Sequence, residues 1–416
     1  MATIRPFAAL RPPKAYAEQV SSLPYDVMNH EEACRMAAGN PSSFLHICRA
    51  DIDTSEAEIH ETVTYEKSRE NLQDFIRKGF LVRDAAPYYY IYRQIMWGRV
   101  QTGIVGCASV DEYLNNTIRK HELTRKEKEL DRICHFDTCS AQTEPVFLAY
   151  RKHEGISAAM REWIKFHKPE YDFTTEDGVT HILWPVTDPE VVETIRRGFE
   201  EVPTLYIADG HHRTASSVAV SAKRRAEHPD YTGQEEFNYL MAVTFCDEDL
   251  FIMDYNRVVA DLNGLSRKAF LAAVSEKFSV QVQQLVTSSP YAPRAKHEFG
   301  MCLDGVWYSI TAKPGSYDEA HPIASLDCAI LQDNLLAPIL GITDPRTSER
   351  IDFVGGIRGL QELQERAGEG GVAFALYPVT MADLFRVADS GEIMPPKSTW
   401  FEPKLRSGLF VHEIEH

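Results

Sequence analysis

The chain has 416 residues, 44% of them hydrophobic and 25% charged, the balance of a soluble globular protein long enough for two domains or one elaborated domain. A formal charge of -17 repels a phosphate backbone, and no basic run with interleaved aromatics offsets it, so nucleic acid is not expected as the main partner. Eight scattered cysteines, with no Cys-x-x-Cys pair and Cys134 and Cys139 as the closest two, argue for reduced thiols. The first residues, MATIRPFAALRPP, lack the apolar stretch of a secretory signal, and no run approaches the roughly 18 apolar residues of a membrane span, so a cytoplasmic protein without a membrane partner is expected.

In chain order, Ile4 to Pro13 reads as a short strand ending at a Pro-Pro turn, Pro24-Tyr25-Asp26-Val27 as a second stop, and Glu31 to Ala38 as a short helix. From Ser55 to Ile76 the side chains Ile59, Val63, Leu72, Phe75 and Ile76 recur at helical spacing, with Lys78-Gly79 as the stop. YYYIYRQIMW and RVQTGIVGCASV then predict a hairpin turning near Gly98. Asp111 to Asp131 is strongly charged and reads as a helix or loop over the surface, followed by a strand at Pro145 to Tyr150. Ile156, Ala159, Met160, Trp163 and Ile164 define a helix face, and His181 to Val186 a strand. Asp188-Pro189 sets an N-cap and first helical residue for a helix closing at Gly198.

LYIADGHHRTA, from Leu205 to Ala215, predicts a buried strand, a glycine turn and a helix start. Tyr239 to Phe245 and Phe251 to Val259 read as strands, Leu326 to Leu340 as a buried helix, Val372 to Leu376 as a strand, and Thr380 to Gly391 as a helix. Strands alternating with helices predict a mixed α/β (α+β) protein rather than a bundle or sandwich. The expected organisation is a phosphate-binding domain over 1–265 and a C-terminal helical and β part over 266–416.

The chemistry concentrates in the glycine turn. A strand feeding a helix through a glycine leaves N–H groups at the helix start directed at an anion, which makes Gly210, His211, His212, Arg213 and Thr214 a candidate phosphate cradle. The Arg213 guanidinium matches two phosphate oxygens, and Asp209 is placed to hold Mg²⁺ or to orient a substrate hydroxyl. His211 and His212, adjacent in sequence, diverge too far to share one ion, and His121-Glu122 lacks the second histidine of an HExxH zinc site, since position 125 is arginine. Glu122 is instead a candidate general base, with Asp26 as a rival. Met394 to Leu409, MPPKSTWFEPKLRSGL, combines three prolines with Lys397, Ser398, Thr399, Lys404 and Arg406, a stiffened loop suited to anions.

Ile4-Arg5-Pro6-Phe7, Leu10-Arg11-Pro12, Pro24-Tyr25-Asp26-Val27, His121-Glu122-Leu123-Thr124, Leu183-Trp184, the IADGHHR block and MPPKSTWFEPKLRSGL together resemble one family, domain-of-unknown-function family 1015. Where that family usually carries Pro-Thr-His-Arg, this chain has Asp254-Tyr255-Asn256-Arg257, keeping the arginine and losing the histidine. The DGHHR block and the upstream His-Glu also resemble the free-serine kinases of the ParB and sulfiredoxin-like superfamily. That resemblance implies a ParB/sulfiredoxin-like core with large insertions and phosphoryl transfer to L-serine from ATP or ADP with Mg²⁺. By the same resemblance Glu122 would be the base and Asp209 to Arg213 the phosphate turn, while a ParB-like reading of Leu10-Arg11-Pro12 would bring Asp26 to the site. The implied partners are a nucleotide and serine or phosphoserine. A nucleotide or metabolite binder without turnover and the reverse reaction on phosphoserine remain as alternatives, and dimerisation is left open.

Overall fold

The computed structural model describes residues 1–54, 60–283 and 290–415, so the predicted helix start at Ser55, with Ile59, lies outside the described residues. The described chain falls into two compact units, one of Met1–Lys120, Thr124–Leu250 and Pro403–His416, the other of His121–Leu123 and Phe251–Glu402. Among the described residues, no helix is long and apolar enough to cross a membrane.

The first unit is built on a nine-stranded sheet. Its path runs Ile118–Arg119, Leu205–Asp209, Val146–Tyr150, Tyr239–Cys246, Arg99–Ser109, Tyr89–Met96, Thr180–Val186 and Tyr171–Thr174, with Ile4–Arg5 added beside Arg99–Ser109. The predicted hairpin is present: Tyr89–Met96 and Arg99–Ser109 pair antiparallel across Trp97-Gly98, both at positive φ. The strand Tyr239–Cys246 is buried at every position, as a central strand covered on both faces must be, and so shows no period-two pattern. Helices Glu154–Phe166 and Pro189–Glu201 send Ile156, Met160, Ile195 and Phe199 into the same core as Ile91, Ile104, Leu148 and Ile207. Helices Thr62–Arg77, Lys126–Cys139 and His211–Glu227 form a second packed group.

The second unit holds a six-stranded, fully antiparallel sheet in the order Phe278–Val282, Val306–Ala312, Glu298–Leu303, Val372–Ala375, Tyr255–Val259, Ile351–Gly355. Helix Gly359–Ala367 packs Leu363 and Ala367 against Val258, Cys302, Trp307 and Ala373.

Four local readings change. Asp188 caps its helix as expected, accepting from Glu190 N at 2.8 Å and Val191 N at 3.2 Å, but the helix runs through Gly198 to Glu201. A Cβ on Gly198 would stand 2.7 Å from Ile156, so this glycine permits close packing between helices and does not end one. The charged stretch Asp111 to Asp131 is not all surface: helix Lys126–Cys139 buries Asp131, Arg132, His135 and Phe136 along one side. Phe251 to Val259 divides into Ile252–Met253 and Tyr255–Val259, and Leu326 to Leu340 into an α-turn, Asp327–Leu331, and a π-turn, Gln332–Leu336.

Candidate functional site

The strand–glycine–helix turn has the predicted form. Leu205–Asp209 is a strand, Gly210 takes φ 89° and ψ 33°, and His211–Glu227 is a helix. A side chain at 210 would be strained by that backbone, and its Cβ would come within 3.1 Å of Arg213 Nε, so both backbone and space favour glycine. Asp209 is tied down at both oxygens: Oδ1 accepts from Gly210 N at 2.7 Å, and Oδ2 binds Lys404 Nζ at 2.8 Å. Burial alone would push its carboxyl up, but the charges of Lys404 and Arg213 reverse this and hold it well below the usual carboxylate range. Asp209 is therefore a weak base. An ammonium on one oxygen and an N–H on the other engage both carboxylate oxygens within the chain. Thr214 is buried and returns its hydroxyl to Gly210 O at 3.1 Å, and His212 Nε2 accepts from Arg125 N at 3.0 Å.

Arg213 points into the protein. It is 3% exposed, donates from Nη1 to Pro145 O at 2.5 Å, and has Nη2 3.8 Å from Asp209 Oδ1. Burial opposes its charge, and Asp26, Asp209 and Glu144 more than compensate. Glu144 is buried under the same group, with Oε1 accepting from Tyr25 N at 3.2 Å and Ser407 Oγ at 2.8 Å. Its burial raises the carboxyl pKa, with Arg213 and Arg132 pulling the other way. Arg132 sits beside it, Nη1 3.9 Å from Glu144 Oε2, its Nε and Nη2 on Asp131 Oδ2 at 2.7 and 2.6 Å and its guanidinium 4.0 Å from the Tyr25 ring centre. Three polar atoms of this buried group, Arg132 Nη1, Arg213 Nε and Glu144 Oε2, have no hydrogen-bond partner among the described residues. Such atoms are rare in interiors and mark places where a ligand or water completes the bonding.

Arg132 and Tyr25 also line a cleft of about 200 Å³, with Asp26, Arg49, Lys128 and His135. Asp26 is exposed, while Arg49 is paired to Asp51 at 2.9 and 2.8 Å. His135 is pushed down to about 3 by burial and by Arg132, so it is a neutral imidazole.

The remaining predicted residues divide between the units. Lys404 and Arg406 belong to the first, but Arg406 is 6% exposed and committed to His181 Nε2 at 3.2 Å, Thr175 Oγ1 at 2.9 Å and the Asp177 carboxylate. Glu122, Lys397, Ser398 and Thr399 belong to the second. There the His-Glu stretch and the proline-rich segment meet: Met394 N donates to His121 O at 2.8 Å, and His121 Nε2 is 3.3 Å from Thr399 Oγ1. Sequence reading missed Arg132, Glu144 and Tyr25 as parts of one cluster. Glu144-Pro145 directly before a buried strand was the available signal for Glu144; nothing local separates Arg132 from the other charges of its helix.

Fold and cluster define a mixed α/β protein with a strand–glycine–helix turn backed by buried arginines. The chain belongs to domain-of-unknown-function family 1015 (DUF1015), described as proteins of unknown function, which it matches over residues 4–329. No curated protein matches the sequence. Similar solved structures include a C-terminally truncated SbnI from Staphylococcus aureus, 12% identical over 74% of this chain and 86% of that one, with a TM-score of 0.41. A free serine kinase variant in complex with ADP is 13% identical over 75% and 93%, with a TM-score of 0.35. A conserved hypothetical protein from Pyrococcus furiosus is 12% identical over 74% and 95%, with a TM-score of 0.34.

Proposed function

We propose that the first unit binds nucleotide phosphates at the Asp209 to Thr214 turn and transfers a phosphoryl group to the hydroxyl of a small metabolite, with free L-serine the first substrate to test and ATP or ADP the donor. The observation that carries this reading is the buried pair Arg132 and Arg213, each with a guanidinium nitrogen lacking a hydrogen-bond partner among the described residues, grouped with Glu144 behind a glycine turn. Phosphoryl transfer asks mainly for positioning and for cations around the phosphoryl oxygens, and a guanidinium held in the interior supplies both. The substrate oxygen forms its bond to phosphorus as the bond to the nucleotide's bridging oxygen breaks, and the hydroxyl proton passes to a carboxylate. Asp26, exposed at the cleft, is the acceptor the first unit offers. Asp209 is too acidic for that task and serves to anchor Lys404 and the helix start. The cleft carries Arg49, Lys128 and Arg132 against Asp26, Asp51 and Asp131, a balance suited to a zwitterion such as an amino acid.

A second reading, binding without turnover, is favoured by the commitment of Lys404 to Asp209 and of Arg213 Nη1 to Pro145 O. Thermal denaturation with ATP, ADP, serine and phosphoserine, followed by product analysis, separates the two. A ligand at 100 times its Kd adds about 2.7 kcal/mol of stability under either reading. Only the first predicts interconversion of serine and O-phosphoserine. Arg213→Lys, which keeps the charge and loses the fork, is expected to weaken nucleotide binding. Nucleotide binding unchanged in that variant, with no product from wild type, overturns the proposal.

A further inference from the structure

Among the described residues Arg257 is a buried cation without a counter-charge. It is 3% exposed on strand Tyr255–Val259, between Val372–Ala375 and Ile351–Gly355 in the sheet of the second unit. Its Nη1 donates to Tyr255 O, its Nη2 reaches Pro396 O at 3.4 Å, and its guanidinium lies 5.1 Å from the Phe353 ring centre. Among the described residues no carboxylate pairs with it. Asp254 is bonded to Asn256 Nδ2, and Asp327 accepts from His297 N at 2.8 Å. Burial lowers the arginine's affinity for its proton, and the opposing influences come from Cys328 and Tyr255, not from an acid. An isolated interior charge is strongly disfavoured unless something compensates it, and two carbonyl contacts supply dipoles without a charge.

The segment that meets Arg257 through Pro396 is rich in groups that bind oxyanions. Lys397 takes the left-handed φ of 56° and puts its ammonium 5.7 Å from the Tyr255 ring centre. Ser398 is buried, with its hydroxyl 2.6 Å from Pro395 O and 3.1 Å from Cys328 Sγ. A non-glycine residue held at positive φ inside a proline-stiffened segment is a strained arrangement of the kind that concentrates at ligand sites.

We propose that Arg257, with Lys397 and Ser398 on the segment it meets at Pro396, is an oxyanion-binding site of the second unit that takes the phosphate or carboxylate group of a small metabolite. It stands independently of the phosphoryl-transfer reading of the first unit. The arginine retained in Asp254-Tyr255-Asn256-Arg257 thereby acquires a role that needs no neighbouring histidine.

The test titrates inorganic phosphate, and separately succinate, into the full chain by calorimetry, using wild type, Arg257→Met, Arg257→Lys and Arg213→Lys. Wild type is expected to bind at least one of the two probes, phosphate alone assigning a phosphoryl group and succinate alone a carboxylate. Arg257→Met is expected to weaken that binding at least about tenfold, the loss of a charge-assisted hydrogen bond. Arg257→Lys retains part of it, and Arg213→Lys leaves the Arg257-dependent response in place. Because Arg257→Met also removes two carbonyl contacts, its unliganded melting temperature is measured beside that of Arg257→Lys. The site is overturned by no binding of either probe to wild type, by wild-type binding by Arg257→Met, or by the same drop in melting temperature in both Arg257 variants with the anion response intact. Loss of the response in Arg213→Lys alone also overturns it, whereas an unaltered Arg213→Lys together with a silent Arg257→Met counts only against the reading of the first unit.

Discussion

Replacing Gly210 with alanine separates what the glycine turn contributes to the fold from what it contributes to anion binding. The residue sits at φ 89°, where an L side chain costs about 1–2 kcal/mol. A methyl group there would also lie 3.1 Å from Arg213 Nε and 3.2 Å from Cζ and Nη2, tight enough to move the guanidinium by a few tenths of an ångström. That displacement loosens contacts with Pro145 O at 2.5 Å and Asp209 Oδ1 at 3.8 Å. Gly233 is the matched control: its φ is 90°, and a methyl group on it meets nothing within 4 Å. Both alanine variants therefore carry the same backbone strain, partly offset by about 0.4–1 kcal/mol from a stiffer unfolded chain. Urea denaturation is expected to show each losing about 1 kcal/mol, with Gly210→Ala losing more. Titration with ADP is expected to show a tenfold or greater loss of affinity in Gly210→Ala only, since about 1.4 kcal/mol of lost interaction is tenfold in Kd. Equal ADP affinity in the two variants would refute the link between the glycine, Arg213 and the phosphate site.

Asp327 gives a pH-dependent prediction. Burial raises its carboxyl from 3.8 to about 7, against His297 N and Lys296, so the stability it contributes is complete below pH 3.8 and is lost as pH rises through 7. At about 1.4 kcal/mol per pH unit the loss approaches about 4 kcal/mol, and Asp327→Asn is expected to flatten the stability profile between pH 4 and 7 and to be the more stable form at pH 8, as read by urea denaturation at each pH. Glu144→Leu strips the acceptor from Tyr25 N and Ser407 and leaves Arg132 and Arg213 short of a counter-charge, which is expected to destabilise by about 3 kcal/mol or more. Glu144→Gln, which keeps an acceptor in place, is expected to lose less in the same measurement. Gly198→Leu drives a side chain into Ile156 and should destabilise by about 1–3 kcal/mol, while an alanine there loses less.

What could be read directly from the chain was whatever local chemistry decides. The hairpin at Gly98, the Asp188 cap, the helix opening at Thr380 with its capping box to Asp383, and the strand–glycine–helix at Leu205 each depend on a few adjacent residues. The mixed α/β class followed from their alternation. Gly198 misled because a glycine at a helix end and one at a helix crossing look alike until the facing Ile156 is known. The charged stretch ending at Asp131 looked like surface because its neutralisation is not local: Asp131 is satisfied by Arg132, Tyr65 and His60, of which only the first is a neighbour in sequence. Glu144, Tyr25 and Ser407 are likewise distant in sequence and meet only through the fold. For the proline-rich segment, composition pointed to anions, but the structure distinguishes its members. Arg406 is locked onto Asp177, Thr175 and His181, Lys404 onto Asp209, and Ser398 lies beside Cys328.

The most direct test of phosphoryl transfer is to incubate the purified full chain with Mg²⁺, isotopically labelled L-serine and ATP, and in parallel ADP, and to follow the serine by mass spectrometry. Labelled O-phosphoserine appearing in step with ADP or AMP, and strongly reduced in Arg213→Lys, is the predicted result. Serine recovered unchanged with both donors, from protein that binds nucleotide with saturable stabilisation, would contradict phosphoryl transfer to serine and leave binding as the activity of the site.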